Sequence, residues 1–295
     1  MIGSLSGGAA ALASSLLAVG AVPHCPAQDA APPAGADAPK VPGTAPAPPP
    51  KVWIFNGTPG DEAHHETYEK LLGRLRETLA KRYAIPRANI KIYYGPESAG
   101  YAGPCTREAL LAALKDAAAA TQGASAAPAW IIFQGHANAI PGGANFNLPG
   151  PDASAREIGE ALAGAGKDAP LVAIATTACA AAFIKPIAAD GRIVMAATSA
   201  SDPENETEFP NVLPDVLEAP ATDADGDGTV SAAEIFLACH ARVRAIYENG
   251  GFMIKEHPAL DGDGDGRATA RPAPADAGPA ARVGLRLAGK ANRFD

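Results

Sequence analysis

Short runs of apolar residues recur through the middle of the chain, and polar segments separate them. Within each run the apolar residues are continuous and do not alternate with polar ones, which is typical of strands buried on both faces of a parallel sheet. The pattern therefore predicts five buried strands. They are expected over Lys51–Gly57, Asn89–Gly95, Ala129–Gln134, Leu171–Thr177 and Arg192–Ser199.

Segments with helical spacing lie between these runs. Asp61–Tyr83 repeats leucine every three or four residues, with acids near its start and Lys81 and Arg82 near its end, as the helix dipole favours. Thr106–Ala120 begins with a good N-cap residue, and Ser154–Ala163 is a shorter helix. Alternation of strand and helix predicts an open α/β sheet with right-handed crossovers.

Both ends of the chain differ from this middle part. Residues 1–27 resemble a secretory signal, although no Lys or Arg precedes Lys40, and residues 28–50 are an Ala- and Pro-rich linker. We therefore expect export to the periplasm or medium; the alternative is a start with no role in export. The folded domain is expected over 51–266, followed by a loose tail over 267–295.

The charge of the chain excludes one class of function. The net charge is −8 over 295 residues, and ten acids but no Lys or Arg lie between Ile193 and Ala241. A nucleic-acid-binding protein needs a basic face, so we expect no nucleic-acid partner. After the signal-like segment is removed, no apolar run is long enough for a membrane span. No Gly-rich phosphate loop occurs, so no organic cofactor is expected.

Two reactive side chains follow neighbouring runs. The chain has four cysteines but no Cys-x-x-Cys pair, which excludes a zinc knuckle and leaves thiols available for chemistry. His136 follows the third run, and Cys179 follows the fourth. In open α/β sheets, sites lie at the carboxyl ends of strands. If the two strands are neighbours, imidazole and thiol come within reach, as a cysteine hydrolase requires.

The order of these motifs resembles the caspase-like fold, and in particular its legumain (asparaginyl endopeptidase) branch. The matching segments are Phe133–His136 (FQGH), Thr177–Ala180 (TACA) and Ala197–Glu204 (ATSASDPE), within residues 51–215. The resemblance implies a three-layer caspase-like sandwich with a mostly parallel central sheet. It also implies a cysteine-type peptidase acting on a peptide or protein substrate, with His136 as general base and Cys179 as nucleophile. Backbone N–H groups of Gly135, Ala137 and Cys179 would hold the oxyanion.

Three departures from the family pattern leave a second hypothesis open. Gly135 precedes the histidine where the family has Gly after it, Ala180–Ala182 replaces a Glu-Ser-Gly type turn, and His64-His65 stands where an Arg-His pair is usual. The alternative to an active peptidase is therefore a catalytically inactive caspase-fold scaffold that binds calcium or a partner.

An acidic segment near the end matches an EF-hand loop over twelve positions. Acids occupy positions 1, 3, 5 and 12, Gly228 occupies position 6, and a helix over Ser231–Glu248 follows. Ile235, Phe236, Val243 and Ile246 give that helix a packing face. We expect Ca²⁺ to bind this EF-hand-like loop and helix. The predicted ligands are Asp223, Asp225, Asp227, Thr229, Ser231 and Glu234.

A second acidic loop begins in the same way but lacks its closing residue. Asp261, Asp263 and Asp265 alternate with glycines, yet the twelfth position is Pro272. Because the bidentate carboxylate is missing, this loop is a half-site.

The signal-like segment, the first acidic loop and the pair of His136 and Cys179 together predict an exported, calcium-stabilised cysteine peptidase.

Overall fold

The computed structural model describes residues 48–96, 99–200, 202, 205–272 and 277–289, all within the compact unit that spans residues 46–295. The signal-like segment, most of the predicted linker and the last residues of the chain lie outside the described residues.

The described residues form eleven strands and six α-helices. The strands are β1 (Lys51–Asn56), β2 (Ile90–Tyr94), β3 (Ala129–Gln134), β4 (Ala137–Ile140), β5 (Gly143–Phe146), β6 (Ala153–Ser154), β7 (Leu171–Ala175), β8 (Arg192–Ala196), β9 (Thr229–Ser231), β10 (Ala259–Asp261) and β11 (Gly284–Arg286). The helices are α1 (Glu62–Lys81), α2 (Arg107–Ala120), α3 (Ala155–Ala161), α4 (Ala181–Ile187), α5 (Phe209–Glu218) and α6 (Ala232–Asn249).

A six-stranded sheet forms the centre of the domain, in the order β10-β8-β7-β3-β1-β2. Strands β8, β7, β3, β1 and β2 run parallel to one another, and β10 runs antiparallel to its neighbour β8. The residues of β3, β7 and β8 are all buried, as their continuous apolar runs require. The five predicted strands are confirmed, each within two or three residues of its expected end.

Two groups of helices cover the sheet. Helix α5 packs against both α1 and α6, and α3 packs against both α2 and α4. The predicted three-layer α/β sandwich with a mostly parallel sheet is therefore confirmed. Local sequence explains where the helices begin: the side chains of Asp61 and Thr106 accept backbone N–H groups of α1 and α2, and Ser154 and Glu157 form a capping box on α3.

Several short elements were not expected from the sequence. Strands β4, β5 and β6 form a separate antiparallel sheet after His136. The alanines after Cys179 lead into helix α4 instead of a turn. In α6, which begins one residue later than predicted, Ile235, Phe236 and Val243 are buried, but Ile246 is 40% exposed and does not complete the packing face.

The expectation of a loose tail is wrong for part of the tail. Gly284–Arg286 pairs with Thr229–Ser231 in a two-stranded antiparallel sheet, and Leu285 and Ala280 are buried. The apolar residues Ala280, Val283 and Leu285 pack against the core next to α6, because this removes their apolar surface from water. Of the helices within the described residues, none is long and apolar enough to cross a membrane.

Candidate active site

The carboxyl ends of β3 and β7 bring the two predicted catalytic residues to one edge of the sheet. The strands are parallel neighbours, with Phe133 opposite Ala175 in the register. The chain leaves β3 through Gly135–His136 and leaves β7 through Thr176–Cys179, so both residues follow strands that end at the same edge. The condition stated for the pair, that the two strands are neighbours, is therefore met.

The ring of His136 is oriented by a backbone carbonyl. Its Nε2 lies 3.2 Å from the carbonyl oxygen of Pro59 and 3.3 Å from the hydroxyl of Tyr68. A carbonyl only accepts hydrogen bonds, so Nε2 donates its proton to Pro59 and the lone pair of the neutral ring is on Nδ1. This is the orientation that a general base needs, with one nitrogen fixed and the other available.

A close backbone approach explains the glycine before His136. Gly135 has φ +113°, a backbone conformation that residues with a side chain rarely adopt. A Cβ at this position would lie 3.2 Å from the Gly57 nitrogen. A Cβ on Gly57 would in turn lie 2.0 Å from the Asn147 carbonyl oxygen. The turn that carries His136 is therefore held against Gly57, which follows β1, and Gly57 in turn lies against Asn147, the residue after β5.

Cys179 occupies a turn with an unusual backbone. Its φ is +53°, in the left-handed region that costs energy for a residue with a Cβ, and such positions cluster at functional sites. The next residue donates its backbone N–H to Thr198 Oγ1 at 2.8 Å, which ties the turn to the end of β8. Cys179 is partly exposed and lines a cavity of about 860 Å³.

His136 and Cys179 line two adjacent cavities. The His136 cavity has a volume of about 420 Å³ and includes Ala178, whereas Cys179, the next residue, lines the larger cavity. On the other side, Ala137 and Asn138 line the smaller cavity and Ala139 the larger one. The two cavities therefore flank the turn after β7 and the start of β4.

The predicted oxyanion residues lie at this edge. Gly135 and Ala137 flank His136 and line its cavity, and Ala137 is the first residue of β4, opposite Phe146. The backbone N–H of Ala180 is bound to Thr198 and is not available to a substrate. Oxyanion binding by Gly135, Ala137 and Cys179 stays a prediction.

A group of polar side chains that the sequence did not predict surrounds His136. His64 bridges two carboxylates, with Nδ1 at 2.7 Å from Asp61 and Nε2 at 2.6 Å from Glu206. Hydrogen bonds to Asp61 and Glu206 raise the pKa of His64 against a smaller opposing effect of burial. The rings of His64 and His136 meet edge to face, with centroids 5.2 Å apart. The sequence marks the His64-His65 pair, but no motif in the sequence points to Glu206. The packing of α5 against α1 places the loop of Glu206 next to His64.

The other described cysteines differ from Cys179. Cys105 and Cys239 are completely buried, and burial raises the pKa of both thiols. A raised pKa and a buried position make a thiol unreactive. These two residues are packing residues and serve as internal references for the reactivity of Cys179.

The first acidic loop has the donor set of a calcium site. Asp223, Asp225 and Glu234 bring one carboxylate oxygen each within 4.8 Å of one another. The Oδ1 atom of Asp223 is buried and has no hydrogen-bond partner among the described residues, so it fits a cation as its partner. Glu234 accepts the backbone N–H groups of Ser231 and Ala224 at 2.8 Å each. Helix α6 begins at Ala232, so Glu234, the last residue of the loop, lies in its first turn.

The second acidic loop is more buried and closes on itself. The carboxylate of Asp261 accepts backbone N–H groups from Gly264 at 2.8 Å and Gly266 at 3.0 Å, and burial raises its pKa. Asp261, Asp263 and Asp265 also converge within 4.8 Å. Within the described residues no α-helix follows this loop, and the chain continues through β-bridge residue Thr269 to Pro272.

Comparison with known proteins gives a likeness of fold. No protein-family model matches this sequence, and no curated protein matches it. Among solved structures, caspase-1 from Spodoptera frugiperda matches with a TM-score of 0.47 and 10% identity, over 72% of this chain and 85% of that chain. The likeness concerns the caspase-like fold alone. The match assigns no role to any residue of this chain, and the legumain-like branch stays a prediction.

Proposed function

We propose that this chain is a cysteine-type peptidase that hydrolyses peptide bonds with Cys179 as nucleophile and His136 as general base. One observation carries the proposal. The Pro59 carbonyl fixes the imidazole of His136 through Nε2, while the neighbouring parallel strand ends in Cys179 on a left-handed turn beside an open cavity. Orientation of the base by a third group and exposure of the nucleophile are the two requirements of such a site.

The reaction assigned to these residues has two stages. The thiol of Cys179 loses its proton to His136 Nδ1, and the sulfur attacks the carbonyl carbon of the scissile peptide bond. Backbone N–H groups of Gly135, Ala137 and Cys179 are assigned to the oxyanion. His136 then gives the proton to the leaving amine. Water, deprotonated by His136, attacks the thioester, and the carboxylic acid leaves as the thiol is restored.

The larger cavity is the proposed binding site for the substrate segment next to the scissile bond. It is walled by α3, α4 and the β4–β5 turn, and the small residues Gly159, Ala181 and Ala182 leave it open. Arg156 and Glu160, which form an ion pair of 3.5 Å, lie on its rim together with Lys185. Both signs of charge are present, so the preferred substrate side chain does not follow from the rim.

The test combines cleavage with labelling of the thiol. The chain is incubated with a peptide library and with a thiol-directed electrophile, and the labelled cysteines are identified by mass spectrometry. We expect cleavage that is lost in Cys179→Ala and retained in the matched variant Cys105→Ala, with Cys179 labelled much faster than Cys105 and Cys239. Absence of cleavage together with equal labelling rates in the folded protein contradicts the proposal.

A second candidate function is a non-catalytic scaffold that binds a partner. It is favoured by the separate cavities of His136 and Cys179 and by the binding of the Ala180 N–H to Thr198. On this hypothesis, Cys179→Ala has the same activity as wild type and retains the dependence of melting on Ca²⁺. Loss of turnover in that variant excludes the scaffold.

Stabilisation by calcium is part of the proposal. It is supported by the buried, unpartnered Oδ1 of Asp223 and by the convergence of Asp225 and Glu234 on it. A ligand that binds only the folded state stabilises it by about 2.7 kcal/mol at a hundred times its dissociation constant. We expect the melting temperature to rise with Ca²⁺ and to fall with a chelator.

A matched pair of variants locates the ion. Glu234→Gln keeps a residue that suits a capping box with Ser231 but removes the charge, so the effect of Ca²⁺ on melting should disappear. Asp263→Asn in the incomplete loop should leave most of that effect. Equal responses of the two variants to Ca²⁺ contradict the assignment to the first loop.

Export of the chain is also part of the proposal. It is tested by determining the N-terminal sequence of the secreted protein.

A further inference from the structure

Three side chains with strong affinity for transition metals meet in the His136 cavity. They are His64 on α1, His136 after β3 and Glu206 in the segment before α5. One ligand atom of each, a ring nitrogen or a carboxylate oxygen, lies within 4.8 Å of the other two. Three separate elements thus supply the cluster, and none of its residues belongs to the acidic loops.

The carboxylate of Asp61 fixes the orientation of the His64 imidazole through its Nδ1 atom. Asp61 Oδ1 lies 2.7 Å from His64 Nδ1 and also accepts the His64 backbone N–H at 2.9 Å. The other nitrogen, Nε2, is therefore aimed at Glu206. Histidines that bind metals commonly donate their second N–H to a carboxylate in this manner, which fixes the tautomer and raises the basicity of the ligand nitrogen.

The cavity allows an ion to enter. The side chain of His64 is 29% exposed and that of Glu206 is 68% exposed. Asn205, Thr207 and Asn211 also line the cavity and offer oxygen atoms to an incoming hydrated ion. Two imidazoles and one carboxylate suit Zn²⁺ and related ions, whereas Ca²⁺ and Mg²⁺ require mostly oxygen ligands. With three protein ligands, a fourth position remains for water.

We propose that His64, His136 and Glu206 form a binding site for Zn²⁺, with Asp61 as the residue that orients His64. The consequence for activity rests on the proposed function. Zn²⁺ bound at Nδ1 of His136 occupies the lone pair of the base, and Zn²⁺ bound at Nε2 displaces the hydrogen bond to Pro59 and leaves the ring proton on Nδ1. In both cases His136 cannot accept the proton of Cys179, so Zn²⁺ inhibits the peptidase. Binding itself does not depend on any peptidase activity. The thiol of Cys179, which lines the other cavity, is not a ligand of this site.

Binding is tested on the full chain with excess Ca²⁺ present, so that the acidic loops are occupied. Zn²⁺ is followed by calorimetry, and Co²⁺ is used as a spectroscopic probe because its visible absorption reports the ligand geometry. We expect one equivalent to bind. His64→Ala and Glu206→Gln should abolish binding, and Asp61→Asn, which still caps α1, should weaken it by about 10- to 100-fold. The matched control is His257→Ala, which removes another histidine paired with a carboxylate, 2.6 Å from Asp202.

The outcomes separate this site from its alternatives. Retention of one tight equivalent in Cys179→Ser supports the proposal. Loss of binding in Cys179→Ser with retention in His64→Ala places the ion on the thiol and overturns it. Absence of a Co²⁺ band in the wild-type protein also overturns it and leaves the cluster as a hydrogen-bonded network. A protein that binds Zn²⁺ but cleaves no peptide refutes the peptidase and leaves the metal site standing.

Discussion

The two cavities at the carboxyl edge of the sheet have opposite characters. Small and apolar groups from α3, α4 and the β4–β5 turn supply much of the wall of the Cys179 cavity, which is also lined by Arg156, Glu160, Lys185 and Asp202. Imidazole, hydroxyl, amide and carboxylate groups wall the His136 cavity, and they come from α1, from the residues around β4 and β5 and from the segment that leads into α5. Cys179 and His136 therefore lie against different groups of helices. It follows that one can be disturbed without the other, and the predictions below use this independence.

The largest expected effect concerns Arg192, which holds together the walls of the Cys179 cavity. Its buried guanidinium donates to the carbonyls of Leu162, Ala165 and Ile187, and so joins the ends of α3 and α4. Arg192→Met leaves these carbonyls without their donor, which should cost about 4 kcal/mol of unfolding free energy in urea titrations. The rate of Cys179 labelling should change as the walls loosen. A cost below 1 kcal/mol contradicts this role.

The second largest expected effect is a pH dependence of stability, and it concerns Glu256 beside the His136 cavity. Glu256 accepts the backbone N–H groups of Glu208 and Phe209 at the start of α5, and burial raises its pKa to about 7. The unfolded chain releases this proton at lower pH than the folded protein does. Stability from this group is therefore lost as pH rises from about 4.5 to about 7, by about 3 kcal/mol in all.

The comparison of wild type with Glu256→Gln isolates that contribution. The difference in unfolding free energy between variant and wild type should grow in favour of the variant as pH rises from 5 to 8. A difference that stays constant over this range contradicts the assignment. Labelling of Cys179 should follow the same pH profile in both proteins, because Glu256 supports the other cavity.

An intermediate effect is expected at the contact between α3 and α4. A Cβ on Gly159 would lie 2.2 Å from the carbonyl oxygen of Pro186, so Gly159→Ala must push α4 outward. Overpacking of this kind costs about 2 kcal/mol. The control is Gly73→Ala in α1, where a Cβ meets nothing within 4 Å and should stabilise the helix. Equal stability changes in the two variants would show that the α3–α4 contact is adaptable.

The smallest effect concerns the hydroxyl of Tyr68, 3.3 Å from His136 Nε2. Tyr68→Phe should cost about 1 kcal/mol or less, because Pro59 still accepts the Nε2 proton. Cleavage should decrease by less than tenfold. A total loss of cleavage in a folded variant would assign to Tyr68 the orienting role that we give to Pro59.

The central sheet was predictable because its signal is local. Buried strands such as β3 and β7 are continuous apolar runs, and the starts of α1 and α2 are marked by Asp61 and Thr106. The short strands of two to four residues were not predictable, since their pairing depends on contacts across the fold. Helix α5 was also missed, because it contains prolines at its second and sixth positions.

The site was predictable only in its side chains. His136 and Cys179 were found from their positions after apolar runs, but the Pro59 carbonyl has no side-chain signal at all. Glu206 lies 142 residues from His64 in the sequence, and only the packing of α5 against α1 brings the two together. The sequence therefore indicates which groups can react, whereas the fold decides which nitrogen is fixed and which partner it meets.

The strand near the end of the chain has a further consequence for the first acidic loop. Strand β11 pairs with the loop over Thr229–Ser231, and the flanking backbone adds hydrogen bonds from Leu287 to Gly228 and from Ala232 to Val283. A loop whose second half is already in its final conformation loses less conformational entropy when it closes around an ion. The proposed affinity of the loop for Ca²⁺ would thus depend partly on a segment that supplies none of the predicted ligands.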